Sequence, residues 1–173
     1  MIIKLLGSII VLLSSGFLGY ILSTDCKRRP QQLRELQSLL QMFENRISYL
    51  SEIVTEAFER INKSSKSEVG IFFASASEKL KSDRCMDACS AWEAAVRENI
   101  KKTALNKEDE EILISFGKIL GSSDLDGQIK NIRLSVNQLN LQEDKAEQSR
   151  NKNEGMYRSL GILGGLAVVI VLF

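Results

Sequence analysis

The chain has 173 residues, with 23 Lys or Arg against 22 Asp or Glu, a formal net charge of +1, and no histidine. So even a balance lacks the basic stripe that nucleic-acid binding requires, and without histidine the commonest general base and the commonest nitrogen ligand for zinc are gone. The apolar and charged residues are kept apart: every charged residue except Lys4 lies between an apolar run at Ile2–Leu22 and another at Leu160–Phe173.

The first run, about twenty-one residues, reaches roughly 31 Å as a helix, enough to cross the hydrocarbon layer of a bilayer. Lys4 followed by apolar residues also fits a signal peptide, but Leu22-Ser23-Thr24-Asp25 is a poor cleavage site, and Asp25 stands where lipidation of Cys26 would want a small residue. An uncleaved transmembrane helix over residues 1–24 is therefore expected. Its glycines and serines, Ser15 and Gly19 among them, are the small residues found where transmembrane helices touch.

The central region, residues 25–155, reads as one compact helical domain. Pro30 suits a first helical turn, and Leu33, Leu36, Leu40, Phe43, Ile47, Leu50, Val54, Ala57 and Ile61 then recur at three-four spacing. Leu39, Met42, Ile53 and Phe58 widen the stripe beyond a coiled-coil seam, so a bundle is favoured over a rod, with Ser48 and Ser51 marking a break between two antiparallel helices. After a polar turn at residues 63–67, Val69, Phe72, Phe73, Ala76 and Leu80 form one apolar face, and Cys85, Cys89, Trp92, Val96 and Ile100 form the next. Trp92, the one tryptophan, reads as a core anchor.

Asn106 before Glu108, Asp109, Glu110 and Glu111 reads as an N-cap and an acidic first turn that complements the helix dipole. Ile112, Leu113, Phe116 and Leu120 form the buried face of that helix, and Gly121 its stop. Asp124 caps a last helix carried by Leu125, Ile129, Ile132, Val136 and Leu139, whose polar tail from Gln142 to Glu154 is expected to be exposed. The reading is all-α: an antiparallel bundle of about six helices.

The second apolar run is short, about 21 Å from Leu160 and about 27 Å from Met156, with Arg158 snorkelling to the headgroups. A transmembrane helix over 156–173 is expected, with Gly161 and Gly165 offering a close face to Ser15 and Gly19. Lys27, Arg28, Arg29 and Arg34 follow the first span, and Arg150, Lys152 and Arg158 precede or enter the second, which puts the central domain in the cytoplasm by the positive-inside rule.

Chemistry is sparse. Cys85 and Cys89 lie one turn apart, but Cys26 is distant in sequence, so the ligand set for a metal is incomplete and buried small hydrophobes are the plainer reading. Consecutive acids at 108–111 fan around a helix instead of converging on a cation. No Gly-x-x-x-x-Gly-Lys-Ser/Thr order is present, so no phosphate loop is expected. The residues point to no enzyme, cofactor, metal or small-molecule substrate. Protein partners and membrane lipid remain.

Several stretches together resemble a known family. Arg29-Pro30-Gln31-Gln32-Leu33-Arg34, Ala91-Trp92, Asp109-Glu110-Glu111-Ile112-Leu113 leading to Phe116-Gly117 and Leu120-Gly121, then Asn153 and Met156-Tyr157-Arg158-Ser159-Leu160-Gly161, are similar in order and spacing to the stage III sporulation protein AB family of endospore-forming bacteria. The resemblance implies a cytoplasmic helical domain like those of type II secretion and type IV pilus platform proteins, in the mother-cell membrane around the forespore. It implies as partners a secretion-type ATPase and other channel subunits, which the protein would couple without catalysis of its own. The chain departs from the family at Leu50-Ser51-Glu52, where a Thr-Pro-Leu-like turn is usual after the tyrosine matching Tyr49. Cys85 and Cys89 inherit no role.

The candidate partner surface is the basic collar Lys27, Arg28, Arg29 and Arg34 with the acidic turn Glu108, Asp109, Glu110 and Glu111; the plainer alternative is a solvated face plus topology signals. A second functional reading is a membrane-tethered regulator that sequesters a cytosolic partner, with the cysteines as a redox trigger.

Overall fold

The computed structural model describes residues 27–50, 52–65, 67–83, 85–120 and 124–172, with backbone alone at 153–158 and 160–172. The expected span over residues 1–24, including Ser15 and Gly19, lies outside the described residues, as does Cys26. All described regular structure is helical: α1 over residues 27–50, α2 Val54–Ser64, α3 Ile71–Ser82, α4 Ala88–Asn99, α5 Lys107–Gly117 and α6 Leu125–Leu172. Short 3-10 turns at Glu68–Gly70 and Ile100–Lys102 precede α3 and follow α4. Among the described residues no helix is long and apolar enough to cross a membrane. The expected segment 156–173, with Gly161 and Gly165, falls on the part of α6 known by backbone only.

The chain divides into two compact units, one formed by Met1–Arg28 with Lys145–Phe173 and the other by Arg29–Asp144. The second holds the core. Leu33, Leu36, Leu40 and Phe43 of α1 are fully buried, and Leu39 and Ile47 nearly so, as the three-four spacing requires. The predicted break is real: α1 is helical to residue 50 and α2 starts at Val54. Leu50 ends α1 and Ile53 is the extended residue before α2, so both lie at the break itself and, though expected on the buried stripe, are exposed at 61% and 64%, beside Tyr49 at 83%.

Local sequence sets the remaining boundaries. Ser67 accepts a hydrogen bond from the Gly70 N–H and opens the turn into α3, and Asp87 accepts one from the Ser90 N–H at 2.6 Å at the start of α4. Asn106 and Asp109 form the expected cap as a reciprocal pair, each side chain accepting from the other's backbone N–H at 3.0 and 2.9 Å. That helix ends at Gly117, four residues before the predicted stop, and residues 118–120 continue as a turn. Asp124 accepts from the Gly127 N–H and opens α6 as predicted.

In α6 the buried positions Ile132, Ser135, Leu139, Gln142 and Ala146 keep three-four spacing into the segment expected to be an exposed tail. The tail's polarity concealed a helix face that continues. Two ion pairs fix how α6 lies on α1: Arg34 reaches Glu143 at 2.6 Å, and Arg133 reaches Glu44 at 2.7 Å. Moving up α1 means moving down α6 by the same number of residues, so the two helices are antiparallel.

The centre is a cluster of five rings, one from each of α1 to α5: Phe43, Phe58, Phe73, Trp92 and Phe116. Trp92 lies with its ring centroid 4.9 Å from Phe73, 5.1 Å from Phe116 and 5.4 Å from Phe58, the first two edge-on, which suits the ring quadrupoles. Its indole N–H donates to the Leu113 carbonyl at 2.7 Å, so the one polar atom of the ring is satisfied in the core. Gly117 makes room: a Cβ there would stand 2.4 Å from Trp92 Cδ1.

Candidate functional site

The motif Arg29-Pro30-Gln31-Gln32-Leu33-Arg34 opens the second unit, and its polar side chains go to different elements. Arg29 donates through Nε and Nη2 to the two carboxylate oxygens of Asp109 at 2.9 and 3.0 Å, a bidentate pair, and Nη2 also donates to Gln142 Oε1 at 3.1 Å. Gln142 in turn donates to Glu108 at 2.9 Å. Asp109 is fully buried while the Arg29 side chain is 22% exposed. One carboxylate thus caps α5, binds α1 and is tied through Gln142 to α6.

Gln32, buried, donates to Glu68 at 2.6 Å and accepts from the Ala104 N–H at 2.7 Å, joining α1 to the turn before α3 and the loop before α5. Arg34 and Gln37 both donate to Glu143 on α6. The collar and the acidic turn proposed from sequence as one partner surface therefore meet each other at Arg29 and Asp109. Gln32, Gln142 and Glu143 were not singled out from sequence. The available signal was phase, since Gln142 falls three residues after Leu139 on the buried stripe.

The other predicted residues are dispersed. Lys27 and Arg28 are exposed and belong to the unit that also contains Lys145–Phe173. Glu110 and Glu111 line a surface depression of about 320 Å³ with Arg97, Lys107, Ile114, Ser115 and Lys118, where three basic residues face the two acids. A second depression, about 540 Å³, lies between α2 and α3. There Glu59 sits 2.8 Å from both Lys63 and Lys81, whose hydrogen bonds and charges lower its carboxyl from 4.5 to about 2. Among the described residues no group of three His, Cys, Asp or Glu is placed to hold a metal.

Cys85 was expected to be buried with Cys89, but it is exposed in the connector before Asp87 opens α4, its N–H donating to Asp83 at 2.9 Å. Cys89 is half-buried. Burial pushes its thiol upward, Asp87 and Glu93 add to the effect and Lys118 opposes it, so thiolate is disfavoured. That environment works against a thiolate trigger.

These ties make the second unit an all-α bundle whose buried polar groups serve cohesion between helices, with apolar side chains left outside at Tyr49, Leu50, Ile53, Leu134 and Leu141. Its class is a helical protein of sporulation, because residues 4–173 match the family model for stage III sporulation protein AB. A stage III sporulation protein AB of Bacillus subtilis (strain 168) is 33% identical over 171 residues, covering 98% of this chain and 99% of that relative. A solved structure of a stage III sporulation protein AB, 31% identical, aligns with a TM-score of 0.68 over 72% of this chain and 98% of its own. The chain belongs to the stage III sporulation protein AB family.

Proposed function

We propose that the chain is a non-catalytic scaffold subunit of a secretion-like sporulation complex between mother cell and forespore, coupling a cytosolic ATPase to membrane subunits. In this reading residues 1–24 and 156–173 are membrane helices, and residues 25–155 face the mother-cell cytoplasm. Channel subunits and the secretion-type ATPase are the partners, and lipid surrounds the two ends. The exposed acid Glu111 and the half-buried Glu110 are offered to such partners, whereas Asp109, Arg29 and Glu108, which accepts from Gln142, serve the fold.

The observation that carries the reading is the surface triad Tyr49, Leu50 and Ile53. Three neighbouring large apolar residues at 83%, 61% and 64% exposure are what a subunit contact leaves bare when its partner is absent. The test is recovery of partners by the tagged full chain from sporulating cells after cross-linking. A secretion-type ATPase or channel subunit should be recovered, and Tyr49→Ser/Leu50→Ser/Ile53→Ser should reduce recovery without lowering the melting temperature. Recovery of neither class of partner would sink the proposal.

A further inference from the structure

Five exposed residues of α6 recur at three-four spacing on the side turned away from the core: Lys130, Leu134, Asn137, Leu141 and Asp144. The neighbouring helices leave this face open. α1 is held on one flank by the ion pairs of Arg133 with Glu44 and of Glu143 with Arg34, and α5 on the other by Gln142, which donates to Glu108, and Asn131, which donates to the Phe116 carbonyl at 3.5 Å. Leu134 and Leu141, two turns apart, are 54% and 63% exposed. Among the described residues Lys130 and Asp144 make no ion pair, whereas Arg133 and Glu143 beside the stripe are already held by α1.

The stripe is self-complementary about its middle residue. Counted from Asn137, one leucine stands three residues before and another four after, while a lysine stands seven before and an aspartate seven after. Turned end for end, the stripe lays leucine on leucine and sets lysine against aspartate. Two such faces, paired antiparallel about a two-fold axis at Asn137, bring Leu134 of each copy to the partner's Leu141 and Lys130 to the partner's Asp144, each contact made twice, as an isologous interface demands. On the axis Asn137 meets its own copy, and an amide, both donor and acceptor, can pair with itself. A parallel pairing would instead set Lys130 against Lys130 and Asp144 against Asp144, like charge on like.

A lone exposed leucine needs no occupant. Two leucines and two opposite charges centred on the same residue are a different observation, because a partner unrelated to this chain would have no reason to require that symmetry. We propose that the outer face of α6 pairs antiparallel with the same face of a second copy of this chain, centred on Asn137. This goes beyond the scaffold reading and does not depend on it. From Lys130 to Asp144 the face is about 21 Å long on a helix about 10 Å wide, well short of the roughly 800 Å² per partner of a stable interface. The pair is therefore a transient one, and it has to be trapped to be seen.

The test uses the full chain in non-ionic detergent, with micelles in excess over chains, carrying Cys26→Ser/Cys85→Ser/Cys89→Ser and one new cysteine at a time for oxidative cross-linking. Asn137→Cys should link to itself. Lys130→Cys and Asp144→Cys should each link poorly alone and readily when mixed, because only antiparallel faces bring those two positions together. Self-linking at both Lys130→Cys and Asp144→Cys would mean a parallel pair and overturn the proposal, as would equal linking at all positions, the mark of random collision, or no linking at any. Leu134→Ser/Leu141→Ser should slow the linking of Asn137→Cys at least about tenfold, since each leucine is used twice in the pair. Lys130→Glu should slow it about fivefold and Lys130→Glu/Asp144→Lys should restore it; a double reversal that fails to rescue would also overturn the proposal. Melting temperatures show which variants are folded, and if the leucine variant is not, the cross-linking map of the three exposed positions decides.

Discussion

The aromatic cluster and the first two turns of α1 hold the same helices together by opposite means. The rings of Phe43, Phe58, Phe73, Trp92 and Phe116 contribute area and shape, and five helices converge on them. Arg29, Gln32 and Arg34 contribute direction, each reaching particular atoms on other elements. Apolar contacts tolerate sliding, whereas a bidentate guanidinium on a capped carboxylate fixes which turn faces which. The rings supply buried area, and the polar ties supply register.

Breaking the ring cluster should have the largest effect. Trp92→Ala removes three ring contacts and orphans the Leu113 carbonyl, and should cost about 4 kcal/mol, measured by urea unfolding followed by circular dichroism. Next, Arg29→Ala leaves the Asp109 carboxylate buried without its cation. A loss of about 3 kcal/mol is expected, the low end for a buried pair because the arginine is partly exposed. If register is what this pair supplies, Asp109→Asn should disturb amide chemical shifts across both α1 and α5, while a change confined to α5 would reduce Asp109 to a cap.

Gly117→Ala drives a methyl group into Trp92 and should cost about 1–3 kcal/mol; Trp92→Phe, which withdraws the five-membered ring, should lessen that penalty in the double variant. Arg34→Ala breaks a tie at a side chain that is 69% exposed, so a loss of about 0–1 kcal/mol is expected. The smallest effect is at Glu59. Its folded carboxyl lies at about 2 against an ordinary 4.5, so its contribution is present above 4.5 and is lost as the pH falls through about 2. A carboxyl titration followed by NMR should give that midpoint, and Lys63→Gln or Lys81→Gln should raise it.

Much of the fold could be read from the chain because its causes are local. The Asn106 cap with its acidic turn, the break marked by Ser48 and Ser51 and the burial of Trp92 all follow from residues a few positions apart. Leu50 and Ile53 depart from the stripe because periodicity does not say where a helix ends, and both sit at the break, one closing α1 and the other preceding α2. The polar ties were hidden for another reason: Arg29 and Asp109 are 80 residues apart, and a basic residue near an apolar run looks the same whether it faces headgroups or a carboxylate. Gln142 was hidden by composition, since an amide on a buried face resembles its solvated neighbours.

Because Trp92 is the chain's one tryptophan and sits where the rings of α2, α3 and α5 meet it, the protein carries an intrinsic optical reporter at its most informative point. The native indole, dry and bonded to a carbonyl, should emit at short wavelength, and admission of water should shift that emission to the red. Docking of a partner far from the rings, if it loosens or tightens the bundle, would then be visible as a change of colour without any attached dye.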